Sequence, residues 1–415
     1  MSVLRKNIVS LFLWQVATYV LPLATFPYMT RVLGVDHFGL LVFSQAIMVY
    51  GVMITDWGFG LSASQDVARH QSDHAYISKL FWETMLAKLL LAGLSLLVLL
   101  LAIAIIPRLW SMAAVLLLSW LAVLGSALTL NWLLQGLERM GRFVMAGLIG
   151  RLTSIPLIFI FVHRPQDVAM AAAIQSFAVF VGAGASMFVA RQVGVIHWVR
   201  PSLQGAVTQL RAGYPMFVAA VAMNVYTVSN TVVLGAMTSP REVGFFSGAD
   251  KLRTAAQGLL SPLSQAVYPR ANALMAESRE AGLAFLRKVL VWQGGLALCI
   301  SLGLMVTAKW LVLLLLGSAY TESTQVLRWL AVLPFLIGVS NVFGIQVMLA
   351  LGMQKVFNRI LIVSGIFNIF MVLFMAHFMG ALGVAITMVV VELFVTVAMG
   401  VYIHLKGVPL FWART

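Results

Sequence analysis

The chain has 415 residues, of which 61% are hydrophobic and 10% charged, whereas a soluble chain carries roughly 25% charged residues. That shortage excludes a soluble enzyme, a disordered chain and a nucleic-acid binder, even though 27 Lys and Arg against 13 Asp and Glu leave a formal charge of +14. Membrane solvation is the reading that remains.

A spanning helix needs about 20 mainly apolar residues to match a hydrocarbon core of roughly 30 Å. In chain order such runs lie at 8–29, 39–60, 79–106, 112–135, 143–163 and 167–190. After a polar stretch they resume at 213–238, 246–269, 286–308, 324–350, 356–378 and 380–403, which predicts about twelve crossings. The apolar piece Trp310 to Leu316 is too short to span and reads as an interfacial or re-entrant segment closed by Gly317. The first run has no small-residue cleavage site and reads as staying in the membrane. Runs that are continuously apolar, not alternating, exclude a β-barrel. The fold class is therefore an all-α polytopic membrane protein.

With the N-terminus placed inside, 17 basic residues fall on the inner face and five (Arg31, Arg108, Arg164, Arg241 and Lys309) on the outer face. The positive-inside bias predicts both termini cytoplasmic. Most of the positive charge is thus topological, holding loops to an anionic leaflet.

The longest polar connection, Arg191 to Gly213, divides the chain into lobes at 1–200 and 201–415. The halves share landmarks at an offset of about 200 to 216 residues. Leu33-Gly34 corresponds to Leu234-Gly235, and Gln135-Gly-Leu-Glu-Arg139 to Leu351-Gly-Met-Gln-Lys355. This pattern predicts a parallel repeat of two six-helix lobes around a central cavity, the architecture of alternating access. No loop is large enough for a soluble domain, and no phosphate-binding loop, metal-ligand spacing or nucleophile–base pair is present. The single cysteine, Cys299, excludes an internal disulfide. The expectation is a protein that is not an enzyme and needs no cofactor, with coupling to an H⁺ or Na⁺ gradient left open.

An ionisable group at bilayer depth costs a few kcal/mol, so each one points to a water-filled cavity or a partner. Lys88, Arg151 and Glu392 lie near the middle of their spans, and Asp56 lies nearer the inner end of its own. Arg151 stays charged and cannot easily snorkel from the midplane, so it calls for an anion, either Glu392 or a substrate phosphate. Lys88 is the second midplane cation that Glu392 can balance. Asp250 and Arg253 share a helix face at i,i+3 and read either as cavity residues or as a self-neutralising pair. Arg328 and Lys251 can snorkel, and Glu83 reads as interfacial. Pro22 and Pro27 in the first span and Pro215 in the seventh each remove a backbone hydrogen bond, so the first helix of each lobe can kink as a gate.

The stretch Leu21-Pro-Leu-Ala-Thr-Phe-Pro-Tyr-Met-Thr-Arg31-Val-Leu-Gly34-Val-Asp-His-Phe-Gly39 resembles the first helix and loop of the Wzx family. These are O-antigen and capsule-unit flippases of the multidrug/oligosaccharidyl-lipid/polysaccharide exporter superfamily. Asp56-Trp-Gly58-Phe-Gly60, Gln257-Gly-Leu-Leu-Ser-Pro262 and Gln265-Ala-Val-Tyr268-Pro269-Arg270 are similar too. So are Gly317-Ser-Ala-Tyr320 with Leu330-Ala-Val-Leu-Pro334, and Gly344-Ile-Gln346-Val-Met-Leu. The resemblance implies a multi-pass protein of the bacterial inner membrane that moves an undecaprenyl-pyrophosphate-linked oligosaccharide to the periplasmic leaflet by alternating access. It also implies partners: the lipid-linked substrate, membrane lipids, and the polysaccharide polymerase and chain-length regulator, with no nucleic acid. Arg31, Asp56 and Arg270 are the motif positions it marks as important. An ion-coupled multidrug exporter of the same superfamily is the alternative; it usually needs buried carboxylates in the first lobe, where Asp56 and Glu83 both read as lying near helix ends.

Overall fold

The computed structural model describes residues 2–260, 267, 270–275 and 277–410, of which 2–23, 140, 143, 219 and 222–227 are described by their backbone. Among the described residues every regular element is helical. The chain divides into two compact units, Met1–Val228 and Ser229–Thr415.

The first unit opens with α1 (Ser2–Asp56), whose dihedrals stay helical except at Gly34 (φ 68, ψ 178). The helix therefore runs through Pro27 and breaks seven residues later, between the runs expected at 8–29 and 39–60. Then come α2 (Phe59–Arg69), α3 (His74–Ile105), the short α4 (Pro107–Trp110), α5 (Ala113–Leu128) and α6 (Asn131–Gly136). They are followed by α7 (Met140–Phe161), α8 (Val168–Val193) and α9 (Leu203–Thr227). Asp73 starts α3 by accepting a hydrogen bond from the Tyr76 amide at 2.9 Å, as a helix N-cap does. The second unit holds α10 (Ser229–Met237), α11 (Pro240–Gly258), α12 (Arg279–Leu311), α13 (Ser323–Leu330), α14 (Leu333–Asn341) and α15 (Gln354–Leu405).

Eight stretches among the described residues are long and apolar enough to cross a membrane, against the twelve runs read from the sequence. Part of the gap is arithmetic. As one straight rod the 52 residues of α15 would reach about 78 Å, more than twice a hydrocarbon core. Gly380 (φ 54, ψ −132) breaks α15 into arms at 354–379 and 381–405, each long enough to cross once. The runs expected at 213–238 and 246–269 fall on α9 to α11 and on residues outside the described set, and are not among the eight.

Trp310 to Leu316 is a correction. It is the continuation of α12 through a π-helical turn, Val312–Leu316, because nothing between Val306 and Leu316 interrupts the helix. A second π turn, Val342–Met348, extends α14.

Each unit packs its own core. In the first, Phe59, Val67, Ile77, Phe81, Trp132 and Leu133 are buried together; in the second, Leu286, Val342, Phe343, Met399 and Ile403 are. The opposite pattern covers the outside of α3, where Leu90, Leu94, Leu97, Val98 and Leu101 are exposed. Such a stripe is stable against lipid and costly against water.

The expected lobe boundary at 200/201 and the observed seam at 228/229 differ by α9. That helix packs against α2 and α3 of the first unit. The preceding strand of chain is stitched to α3 as well: Ser78 Oγ donates to the Val195 carbonyl (3.1 Å) and accepts from the His197 amide (2.9 Å), and Trp82 Nε1 donates to the His197 carbonyl (3.0 Å).

One turn repeats in detail. Leu137, Glu138 and Arg139 donate their amides to the carbonyls of Leu133, Gln135 and Leu134. Leu351, Gly352 and Met353, each 214 residues later, donate to Val347, Leu349 and Met348. The pivot residues Glu138 (φ 57) and Gly352 (φ 74) are both left-handed.

Candidate functional site

In the first unit the site is built around Lys88, near the middle of α3 and only 2% exposed. Its Nζ donates to Asp56 Oδ1 at 3.2 Å, and the Asp56 side chain is 54% exposed. The pair therefore has a buried cationic end and an exposed anionic end. Leaving such a buried ammonium without its partner would cost about 3–5 kcal/mol.

Asp56 reaches Lys88 because of the corner that follows it. α1 stops there, Trp57 (φ 41) and Gly58 (φ 79) turn the chain, and α2 carries it onward. The corner is pinned on α9: Trp57 Nε1 donates to the Leu210 carbonyl at 2.8 Å, and its indole stacks on Phe217 with centroids 4.0 Å apart. A β-carbon on Gly213 would lie 2.4 Å from the Trp57 carbonyl oxygen, so only glycine admits this approach. Asp56 is the last residue of α1, at a helix end as the sequence places it, and from there it reaches Lys88 at the middle of α3. The Asp56-Trp57-Gly58 motif does its work as this corner.

Glu83 is buried at 6% exposure, and Ser202 Oγ donates to its Oε1 at 3.2 Å. Ser202 itself accepts from the Gly205 amide at 2.9 Å. The carboxylate therefore sits at the N-terminus of α9, where the helix dipole favours negative charge.

Arg151 is half-buried at the middle of α7, and its carbonyl accepts from Ser154 Oγ at 2.7 Å. Its height is set by the contact of α7 with α8, so close that a β-carbon on Gly150 would lie 2.3 Å from the Ala178 carbonyl oxygen. Within the same unit Gln45 of α1 donates to Gln175 of α8. Arg31 is exposed, three residues before the break at Gly34.

In the second unit Arg253 donates from Nε (2.9 Å) and Nη2 (2.5 Å) to Asp250 Oδ1, and from Nη1 to Gln257 Oε1 (2.5 Å). These contacts lie within one helix face, so of the two readings of Asp250 and Arg253 the geometry has the self-neutralising pair. Glu392 lies at the middle of the second arm of α15, 8% exposed. Ser340 Oγ of α14 donates to its Oε1 at 2.6 Å. Lys88 thus has Asp56, in its own unit, as its ion-pair partner, and Glu392 is engaged by Ser340 in the other. Arg270 is exposed in a helical stretch at 270–275. Pro215 lies inside α9, and the ring of Pro22 lies outside the described side chains.

A search for ionisable residues passes over Ser340, and over Gln293 and Gln346, which are buried on α12 and the second π turn. Gln293 Nε2 donates to the Gly338 carbonyl at 3.2 Å. Their signal in the sequence is an uncharged polar residue inside an apolar run, which is weak alone. Among the described residues no three His, Cys, Asp or Glu gather as a metal site.

Against known proteins, the profile of a family described as polysaccharide biosynthesis protein matches residues 4–275. A protein of Escherichia coli K12 bearing the name O-antigen transporter is 34% identical over 402 residues, 97% of each chain. A like-named protein of Shigella dysenteriae is 31% identical, covering 95% of this chain and 99% of its own. Among solved structures, the lipid II flippase MurJ in an inward closed conformation superposes with a TM-score of 0.74 at 12% identity, over 96% of this chain and 87% of MurJ. An inward-facing multidrug transporter of the MATE family gives 0.69 at 15% identity, over 97% and 99%. These two likenesses establish a shared transporter fold. The chain is a multi-pass inner-membrane transporter, not an enzyme, and belongs to the polysaccharide biosynthesis protein family.

Proposed function

We propose that this protein is a flippase that carries a lipid-linked oligosaccharide, an O-antigen or related repeat unit on undecaprenyl pyrophosphate, from the cytoplasmic to the periplasmic leaflet. The observation that carries the reading is the full-length kinship with proteins named O-antigen transporters. The chemistry agrees with it. A pyrophosphate and a sugar cannot enter hydrocarbon without losing hydration worth tens of kcal/mol in the limiting case. A cation held at mid-membrane lowers that barrier, and Arg151, at the centre of an apolar helix, is suited to grip a phosphate with its planar fork. Lys88 is already neutralised by Asp56, which favours a neutral or mildly acidic repeat unit over a strongly anionic one.

In this reading both termini are cytoplasmic, as the basic-residue bias argues, and the two units alternate access to the two leaflets. The polymerase and the chain-length regulator take over the product. Arg151→Ala should abolish surface polysaccharide in a strain lacking its own transporter while the protein level holds, and Arg151→Lys should retain part of it. Normal polysaccharide from the alanine variant would overturn the phosphate role.

The second reading, an ion-coupled drug exporter, draws on the MATE-like fold and on the buried carboxylate of Glu83 in the first unit. It requires drug efflux by the same cells, measured as resistance lost in the Asp56→Asn variant.

A further inference from the structure

Three pairs of side-chain amides bridge helices among the described residues. Asn368 donates to Asn230 at 3.0 Å and Gln346 donates to Gln293 at 3.4 Å, and all four side chains are buried. Enclosed pairs of this kind tie helices together inside a bundle. Gln45 of α1 and Gln175 of α8 make the third pair, and both of these side chains are only half-buried.

The open side of this pair faces water. On α1, Gln45 and Asp56 are eleven residues apart, three turns and about 16 Å, so they share a face. The Asp56 carboxylate on that face is exposed, and a charge and a carboxamide are too costly to turn toward lipid. The pair also holds hydrogen-bonding groups in reserve. Each amide has two N–H groups and a carbonyl oxygen. Gln45 gives one N–H to the Gln175 oxygen, and Gln175 gives one to Met29 Sδ at 3.8 Å, a weak acceptor. The Gln45 oxygen and one N–H of each residue remain for a ligand. Two donors beside an acceptor match neighbouring sugar hydroxyls, each of which both donates and accepts.

Height places the pair near Arg151. The close contact of α7 and α8, in which a β-carbon on Gly150 would lie 2.3 Å from the Ala178 carbonyl oxygen, makes Arg151 level with Ala178. Gln175 is three residues from Ala178 along α8, less than one turn and about 4.5 Å. The first sugar of a lipid-linked chain is bonded directly to the pyrophosphate. A group that reads that sugar must therefore lie within a few ångströms of the group that grips the phosphate. We propose that the Gln45–Gln175 pair recognises the first sugar of the lipid-linked oligosaccharide, through hydrogen bonds to its hydroxyl groups. The assignment rests on the flippase reading and on Arg151 as the phosphate-gripping residue. Discrimination then comes from uncharged amides, while positive charge serves the phosphates that all such substrates share.

The test is native mass spectrometry of the full-length protein with equal amounts of two lipids: undecaprenyl pyrophosphate, and undecaprenyl pyrophosphate carrying one N-acetylhexosamine. The two adducts differ in mass and their ratio is read within one sample, so an unfolded fraction lowers both and leaves the ratio. The wild type should favour the sugar-bearing lipid about tenfold, as one or two hydrogen bonds provide. The double variant Gln45→Leu/Gln175→Leu, which removes both amides so that neither is left unmatched, should abolish that preference. Gln45→Asn, which draws the carboxamide back by one methylene, should weaken it.

Arg151→Ala should weaken both lipids alike; a loss confined to the sugar-bearing lipid would put the sugar at Arg151 and overturn the assignment. A preference that survives in the double variant overturns it as well. Wild-type binding of both lipids without preference overturns the sugar site and leaves the flippase reading. Binding of neither lipid beyond that of phosphatidylglycerol overturns the flippase reading itself, and the sugar site with it.

Discussion

The returns that follow α7 in the first unit and the first arm of α15 in the second do the same job with different parts. After α7 the chain spends six residues, 162–167, before α8 begins, and Asp167 Oδ2 accepts from the amides of His163 and Arg164, both at 2.9 Å. The cap in that corner comes from within five residues, and Tyr28 of α1 holds the corner's first residue by donating to the Val162 carbonyl at 2.6 Å. In the second unit a single residue, Gly380, makes the corner, and the new helix start is capped from 139 residues away: the Ala381 amide donates to Glu242 Oε2 at 2.7 Å. The Asp167 cap is local and exposed. A borrowed cap also ties α11 to α15, so the same kind of hydrogen bond carries tertiary structure.

The largest expected effect tests the borrowed corner directly. Gly380→Ala places a β-carbon 2.3 Å from Glu242 Oε2 at a backbone conformation (φ +54) that side chains rarely adopt. The expected cost is about 3 kcal/mol, seen as a lower unfolding temperature of the purified protein; a wild-type melt would show that the corner is not fixed there. Glu242→Ala should cost about 1–2 kcal/mol by orphaning the Ala381 amide, and Glu242→Gln, which keeps an acceptor, clearly less. Equal losses in the two variants would mean that charge, not capping, matters.

The repeated turn gives a smaller and opposite pair. Glu138→Gly should stabilise by about 0.5 kcal/mol by relieving a left-handed non-glycine, and Gly352→Ala should cost about 1 kcal/mol. Effects of one sign in both would break the equivalence of the turns. Asp167→Ala should move the melt least of all, since its cap is exposed and local. A shift as large as that of Glu242→Ala would erase the contrast between the two returns.

Much of this was readable before the fold was known. Lys88, Arg151 and Glu392 stand out because charge inside an apolar run is costly whatever surrounds it. The turns at 135–139 and 351–355 stand out because glycine and a basic residue punctuate long hydrophobic stretches. What escaped was pairing across the sequence. Lys88 and Asp56 are 32 residues apart, Ser340 and Glu392 are 52, and Glu242 and Ala381 are 139, so no spacing rule connects them. The burial of Glu83 has no local signal either, since its partner Ser202 lies 119 residues away, just before α9. Trp310 to Leu316 was misread because a closing glycine looks the same after a separate segment as after the last turn of a long helix.

The stitching of 195–217 onto α3 and the Trp57 corner also bears on how the protein is made. Every partner named for Trp57, Ser78, Trp82, Glu83 and Lys88 lies before residue 228. A nascent chain that has reached Val228 therefore already holds the complementary groups its first half needs. That half can close its buried amides and the buried Lys88 ammonium in the bilayer while the ribosome is still building the second.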